Sequence, residues 1–373
     1  MADYKVVEVK TKRDLMKFIK FPDELYKDCP QYVPALHSDQ VKSLTKAASL
    51  KYCTNKLWMV MDGKKVVGRI CGMINPRYNE RFSKKRARFG WFDTINDIKV
   101  ASLLLGTAEA WAKENGMNEI HGPLYYNTLG KQGMLVEGFE NLPPFNCIYN
   151  YPYYNDLVTA LGYEKECDWV QQKLKANQGL PPKLGAISER LMQRYKLRVG
   201  DIEELKKDRT LVRKFFHIYS DAFAANVYNF IPFTEEEIDE EADQVIGFLD
   251  KRLSCFIVDE DNEVATFGVA FPSISKALQK AKGSLFPFGW FHLLKALRSN
   301  DSVDLMLNGA APKWQNTGVS ALYHNQMANM FKNLGIKWAI TNPQIETNLS
   351  VNVWERYEYE MYMRRRCYLK SIK

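Results

Sequence analysis

The sequence predicts an α/β (α+β) protein made of two related units, and three observations lead there. The chain has 373 residues, a length that suits about two domains rather than one core. Residues 303–348 read as strand, loop, helix and strand. The order of elements in the first half then recurs in the second, which points to an internal repeat of one supersecondary plan. The expected division is an N-terminal domain at 1–178, a linker at 179–195 and a C-terminal domain at 196–373. The Pro pair and two glycines in residues 176–187 suggest the linker.

In the first half, residues 4–9 alternate as a strand. Residues 11–19 follow as a helix with Leu15, Phe18 and Ile19 on one side. Asp62-Gly63, set between apolar runs, is a hairpin signal. Residues 77–88 hold Arg77, Arg81, Lys84, Lys85, Arg86 and Arg88 against Glu80. They read as a solvated basic loop, with an anion-facing rim as the alternative. Residues 89–93 form a short aromatic strand, and residues 97–115 a helix stopped by Gly116. A strand at 119–123, a long Gly-rich aromatic loop at 125–149, a helix at 153–161 and a strand at 163–174 complete this half.

In the second half, residues 188–199 suggest a connecting helix leading into a strand, and residues 205–224 another helix. Thr234 with Glu237 has the pattern of a capping box. The acidic run at 235–243 lies beside Ile238, Ala242, Val245, Ile246 and Leu249, so it reads as the solvated face of a helix. Asp261-Asn262 marks a second hairpin. Residues 276–298 are basic, aromatic and interrupted by Gly283, Pro287 and Gly289. They read as a packed lid or insertion, with contact to a membrane surface as the alternative.

Residues 304–307 are a short β run. The loop 310–317 leads to Gly318 and a helix with Val319, Leu322, Tyr323, Met327, Met330, Phe331 and Leu334 on one face, stopped by Gly335. The first turn of a helix leaves N–H groups unpaired, and a glycine there lets an anion approach the backbone. Residues 315–320 are therefore a candidate pyrophosphate cradle, the alternative being an ordinary loop into a core helix. Residues 336–340 read as a buried strand, 351–357 as a helix and 360–370 as the last strand.

Hydrophobic residues make up 46% and charged residues 26%, the balance of a folded globular chain. The net charge of +8 favours anionic partners, but the charge is not gathered on one element as in a DNA binder, and no DNA is expected. Seven cysteines at irregular spacing suit reduced thiols better than a disulfide framework or a metal site. No run has the length of a transmembrane segment and the N-terminus has no apolar signal core, so a cytoplasmic protein is expected.

Phe21-Pro22, Tyr26, Tyr32-Val33-Pro34, Val67-Gly68-Arg69-Ile70, Gly122-Pro123, residues 133–139 and Arg366-Cys367-Tyr368 carry a further signal. With the element order, they resemble the GNAT superfamily of acyl-CoA-dependent N-acyltransferases in tandem form, and more specifically a bacterial family of two-domain GNAT-like proteins. The resemblance covers nearly the whole chain. It implies two GNAT-like domains, each a mixed, splayed central sheet flanked by helices. It also implies acetyl-CoA or another acyl-CoA as co-substrate, and a small-molecule or peptide amine as acceptor.

The superfamily binds pyrophosphate at a Gln/Arg-x-x-Gly-x-Gly/Ala loop. Gln315-x-x-Gly318-x-Ser320 matches it with serine at the last place, so Gln315, Asn316, Thr317, Gly318, Val319 and Ser320 are the implied cradle. The resemblance places residues 305–309, with Leu307 among them, along the acyl group, and Asn348 near the pantetheine or thioester. Where the superfamily often has a thiolate-protonating tyrosine, seven residues after that Asn, this chain has Glu355; Tyr357, Tyr359 and Tyr362 are nearby substitutes. Residues 94–100 of the first domain lack the glycine loop, so acyl-CoA is expected in the second domain only.

Attack by an amine on a thioester needs a base, for which Asp304 and Glu346 are candidates, and backbone N–H groups for the oxyanion. A surface or capping role is the alternative for both carboxylates. His324 is expected in a core or surface role, and no metal site is expected. Two other functions are open: a non-catalytic protein that keeps the fold to bind a ligand or partner, and an aminoacyl-tRNA-dependent transferase. For the latter, the basic segments 77–88 and 276–298 suit tRNA.

Overall fold

The computed structural model describes residues 3–179, 182–224, 229–347 and 357–372. The first half runs β1 (Tyr4–Glu8), α1 (Lys12–Leu25), α2 (His37–Lys46), β2 (Thr54–Asp62), β3 (Lys65–Ile74), α3 (Pro76–Phe82), β4 (Arg86–Thr94) and α4 (Ile98–Glu114). β5 (Glu119–Gly122), β6 (Met134–Glu137), α5 (Tyr153–Ala160) and β7 (Glu164–Lys175) follow. The second half runs α6 (Pro182–Arg194), β8 (Arg198–Val199), α7 (Ile202–Lys207), α8 (Arg209–Ala224), α9 (Glu235–Phe248), β9 (Ser254–Val258) and β10 (Val264–Pro272). Then come α10 (Ser275–Ala281), α11 (Gly289–Arg298), β11 (Ser302–Ala310), α12 (Ser320–Asn333), β12 (Trp338–Ile340), β13 (Gln344–Ile345) and β14 (Tyr359–Ser371).

Two compact units result. One gathers Met1–Val170, Ile274–Leu294 and Met363–Lys373, and the other Gln171–Ser273 and Lys295–Tyr362. This division is not a cut at a linker. The segment expected as linker, 179–195, holds α6, which packs against α12 through Leu191 and Met192 in the second unit. Pro182 is its first residue, where a missing N–H costs nothing.

In the first unit, β1 to β4 form an antiparallel run and β5 joins β4 in parallel. β14 then pairs with β5, from Tyr368↔Gly122 to Ser371↔Glu119. The Asp62-Gly63 turn is present with Gly63 at φ +56°, joining β2 and β3 in register from Asp62↔Lys65. Phe18, Ile19, Leu44, Cys71, Met73 and Trp91 are part of the apolar core.

Residues 77–88 are only in part the solvated loop that their charge suggests: Arg81, Lys84 and Lys85 are exposed, but residues 77–82 belong to α3 and 86–88 to β4. Arg86 and Arg88 lie buried in β4. Arg86 pairs with Glu119 at 2.9 Å and Glu166 at 2.5 Å, and Arg88 donates to the carbonyls of Tyr125 and Tyr126. Buried arginines persist where carboxylates and carbonyls satisfy their donors.

In the second unit, β9, β10 and β11 are antiparallel neighbours, and β12 joins β11 in parallel. The other edge of β12 pairs with Lys173–Lys175, the end of β7. The Thr234 capping box is formed: the Glu237 N–H donates to the threonine hydroxyl, and the Thr234 N–H to the glutamate. Leu305, Val319, Leu322, Met327, Phe331 and Ala339 belong to the core between sheet and α12.

The splay expected of each sheet is present. β11 and β12 pair only at Ser302↔Trp338, Val303↔Ala339 and Asp304↔Ile340, after which β11 runs on with β10 alone. In the first unit β4 and β5 likewise pair at three positions, ending at Arg88↔His121.

Candidate functional site

The two forks differ in what fills them. In the first unit the chain after β5 returns to β4, with the Leu124 N–H donating to the Phe89 carbonyl at 2.8 Å. Beyond it, Trp91 stacks on Tyr125 with ring centroids 3.5 Å apart. The start of the following helix, α4, is also taken, because Asp97 accepts from the Lys99 N–H at 2.8 Å. An anion there would face a carboxylate in place of free N–H groups.

In the second unit the same place is open. α12 has no side-chain cap. Among the described residues nothing accepts from the N–H groups of Gly318, Val319 and Ser320. Gly318 has φ +86°, and a Cβ added there would meet nothing nearer than Leu191 Cδ1 at 3.8 Å. The preceding Asn316 is at φ +62°. Alternating left-handed residues turn successive N–H groups to one side, the geometry of an anion nest. The loop is held from within: Thr317 Oγ1 donates to the Trp314 carbonyl at 2.6 Å, and Gln315 reaches the Ala310 carbonyl at 3.5 Å. Gln315, Asn316, Thr317, Gly318, Val319 and Ser320 are thus together at one helix start.

Below the fork lies an apolar pocket of about 530 Å³ including its mouth. Leu174, Leu305, Leu307, Met327, Phe331 and Ala339 contribute its walls, and Asn308, Tyr323, His324 and Tyr357 its polar atoms. Gly268, at the pocket wall, lets α12 lie close on β10. A Cβ at Gly268 would stand 2.3 Å from Met327 Sδ and 2.6 Å from Tyr323 Cδ2.

Of the candidate catalytic residues, Tyr357 is in this pocket. Its hydroxyl is 2.9 Å from Nδ1 of His324, which was expected in a bland role and instead lines the site. Of residues 351–357, expected as a helix, 351–356 lie outside the described residues, Glu355 among them, and so does Asn348.

Asp304 is at the last position of β11 that pairs with β12, one residue before the pocket wall, and 1% exposed. Neither carboxylate oxygen has a hydrogen-bond partner. Burial pushes its pKa up to about 7. A buried acid without partners takes its proton more readily. Glu346 is exposed in the turn after β13 and does not line the pocket.

A metal-like grouping was not read from the sequence. His121, Glu166 and Cys367 in the first unit bring ligand atoms within 4.8 Å of one another. Glu166 is already shared by Arg86 and by His121 Nδ1 at 3.0 Å, which suits an ion-paired core.

The first unit also holds a polar cleft lined by Arg69, Trp91, Asp93, Tyr125, Lys131 and Tyr149. Arg69 Nε donates to Asp93 at 2.7 Å, and the Tyr26 hydroxyl donates to the same carboxylate at 3.0 Å. Lys131 donates to the Cys147 carbonyl at 3.1 Å, and burial pushes its pKa down to about 8.

No family model matches the chain. Protein YghO of Escherichia coli is 29% identical over 97% of this chain and 94% of its own length. A bacterial ceramide synthase of Caulobacter vibrioides is 27% identical over 100% of this chain and 98% of its own. Among solved structures, a tandem GNAT protein from the clavulanic acid biosynthesis pathway superposes with a TM-score of 0.56 at 12% identity, covering 100% of this chain and 99% of that one. A glucosamine N-acetyltransferase region of a fungal multi-domain β-N-acetylglucosaminidase gives 0.60 at 13% identity, over 99% of this chain and 38% of that one. A GCN5-related N-acetyltransferase from Sphaerobacter thermophilus gives 0.54 at 10% identity, over 99% and 96%. The chain has the tandem GNAT fold from end to end.

Proposed function

We propose that this protein is an acyl-CoA-dependent N-acyltransferase whose second unit holds the acyl-CoA. The observation that carries the reading is the meeting, in one unit, of an uncapped helix start with an apolar pocket below a splayed strand pair. The N–H groups of Gly318, Val319 and Ser320 would receive the pyrophosphate. The pocket walls would receive the acyl chain, and their apolar lining suits a chain longer than acetyl.

The acceptor nitrogen attacks the thioester carbon. A C–N bond forms and the C–S bond breaks, leaving a thiolate and a proton to be taken from nitrogen. Asp304 at the fork is the base: with its pKa raised to about 7, its carboxylate form takes a proton more readily than an ordinary aspartate yet is still populated near neutral pH. Tyr357 gives its proton to the thiolate. With His324 Nδ1 protonated, the imidazole donates to the phenol oxygen and leaves the phenol proton free for sulfur. Tyr357 would thus take the place of the tyrosine that Glu355 lacks.

Ceramide is an amide of a long-chain amine, so the ceramide synthase relative supports a lipid-like amine acceptor. Turnover is tested by incubating the protein with decanoyl-CoA and sphinganine, reading free thiol and amide mass together. Stoichiometric thiol and amide are expected. Acyl-CoA binding without turnover on lipid, small or peptide amines would favour the non-catalytic reading. The tRNA-dependent reading loses support from the burial of Arg86 and Arg88.

A further inference from the structure

The first unit displays a cluster of large apolar side chains just before and within α11. Phe286 is 80% exposed, Phe288 72%, Phe291 55%, Trp290 46% and Leu294 45%. Soluble surfaces seldom gather so many in so short a stretch without a binding role.

The base of this segment is firmly held. Ser275 Oγ donates to the Pro143 carbonyl at 2.8 Å, and Gln279 donates to the carbonyls of Pro30 at 2.7 Å and Tyr32 at 3.0 Å. The His37 N–H donates to the Gly283 carbonyl at 2.9 Å. The aromatic tip is organised too. The Trp290 N–H bonds to the Leu285 carbonyl and its indole to Pro287, both at 2.9 Å. Gly289 is required there, since a Cβ would stand 2.1 Å from the Ser284 carbonyl oxygen. A built scaffold therefore holds out side chains that would gain from burial.

The charge on the segment itself has one sign, the acid beside its base, Asp23, being paired with His37. Lys276, Lys280, Lys282, Lys295 and Arg298 are exposed, and residues 274–300 contain no acid. Among the described residues none of these cations is in an ion pair. Phenylalanine and tryptophan beside lysine and arginine match the acyl boundary and phosphates of a bilayer. A protein partner would ask for hydrogen-bonding groups to fix register, and besides the cations the tip offers few: the Ser284 hydroxyl is already bonded to the Phe286 backbone, and His292 is half-buried. No helix of the described residues is long and apolar enough to cross a membrane, so contact would be in the interface plane.

We propose that Phe286, Phe288, Trp290, Phe291 and Leu294 form a docking surface that enters the interface of a bilayer containing anionic lipid. This stands whether or not the second unit transfers acyl groups, because its test reads lipid binding and no turnover.

The test is flotation with vesicles of phosphatidylcholine alone and of phosphatidylcholine with phosphatidylglycerol, at low and high salt. The wild-type protein should float with the mixed vesicles, bind the neutral ones about tenfold more weakly, and be partly released by salt. The combined variant Phe286→Ser, Phe288→Ser and Phe291→Ser, checked for folding by circular dichroism, should bind about tenfold more weakly to the mixed vesicles. Failure to float, or equal wild-type binding to both vesicle types, overturns the proposal. So does equal flotation of the variant. Lipid-free dimers in sedimentation velocity that the variant abolishes would assign the patch to a second copy and also overturn it.

Discussion

The hydroxyl of Tyr357 and Nδ1 of His324 lie 2.9 Å apart in the apolar pocket of the second unit, although the residues are 33 apart in sequence. In the proposed mechanism this pair would be a proton donor and its replenishing partner. Tyr357→Phe should lower kcat about 100-fold while leaving acyl-CoA affinity nearly unchanged. His324→Ala should have a smaller effect, and the double variant should lose little beyond Tyr357→Phe alone. Steady-state kinetics of all three check this. Additive losses would mean the two side chains act separately.

Asp304 should show opposite effects on activity and stability. Its carboxyl is raised to about 7 from an ordinary 3.8, so the folded state binds the proton more tightly than the unfolded chain. Stability then falls as pH rises from about 4 to about 7, with the full cost present above 7. Asp304→Asn should stabilise the protein at pH 8 by up to about 4 kcal/mol, taking about 1.36 kcal/mol for each factor of ten in proton affinity, and by little at pH 4. It should also remove most acyl transfer. Chemical denaturation at both pH values and a pH–rate profile decide it. Retained activity with a rise near pH 7 would assign the base elsewhere.

Much of this was legible in the sequence where the signal is local. The hairpins at Asp62-Gly63 and Asp261-Asn262 and the capping box at Thr234 formed because a few adjacent residues determine a turn or cap. The Gln315 to Ser320 loop was visible for the same reason. What required the tertiary structure was long-range. Arg86 and Arg88 look solvated until Glu119, Glu166 and two distant carbonyls supply their partners. The pairing of β14 with β5 joins residues 119–122 to residues 368–371, far apart in sequence, and no local pattern encodes it. The contact of His324 with Tyr357 is likewise long-range and is not read from any local pattern.

Lys131 gives a stability signature in the first unit. Its pKa is lowered from 10.5 to about 8, so the folded state holds the proton less tightly than the unfolded chain. Stability should rise with pH between those values as the buried charge is lost. Lys131→Met should stabilise at pH 7 by up to about 3 kcal/mol, a gain that shrinks as pH passes from about 8 to 10.5. Denaturation curves of both proteins across that range measure it. A gain independent of pH would show that the charge carries no cost.

Two glycines separate backbone strain from binding. Gly318 and Gly335 have φ of +86° and +69°, and an added Cβ meets no close neighbour at either. Gly318→Ala and Gly335→Ala should each cost about 1 kcal/mol of stability. Only the first should weaken acyl-CoA binding. Thermal unfolding with and without decanoyl-CoA distinguishes them, and equal ligand-induced shifts in both variants would contradict a role for the loop.

The most direct measurement is a calorimetric titration of decanoyl-CoA into the wild-type protein and into Gly318→Glu. A carboxylate placed against the free N–H groups of Gly318, Val319 and Ser320 would compete with pyrophosphate for the same donors. Saturable binding by the wild-type protein, weakened at least about 100-fold in the folded variant, is the expected result. Equal affinity in both proteins, or no binding by the wild type, would contradict acyl-CoA binding at the start of α12.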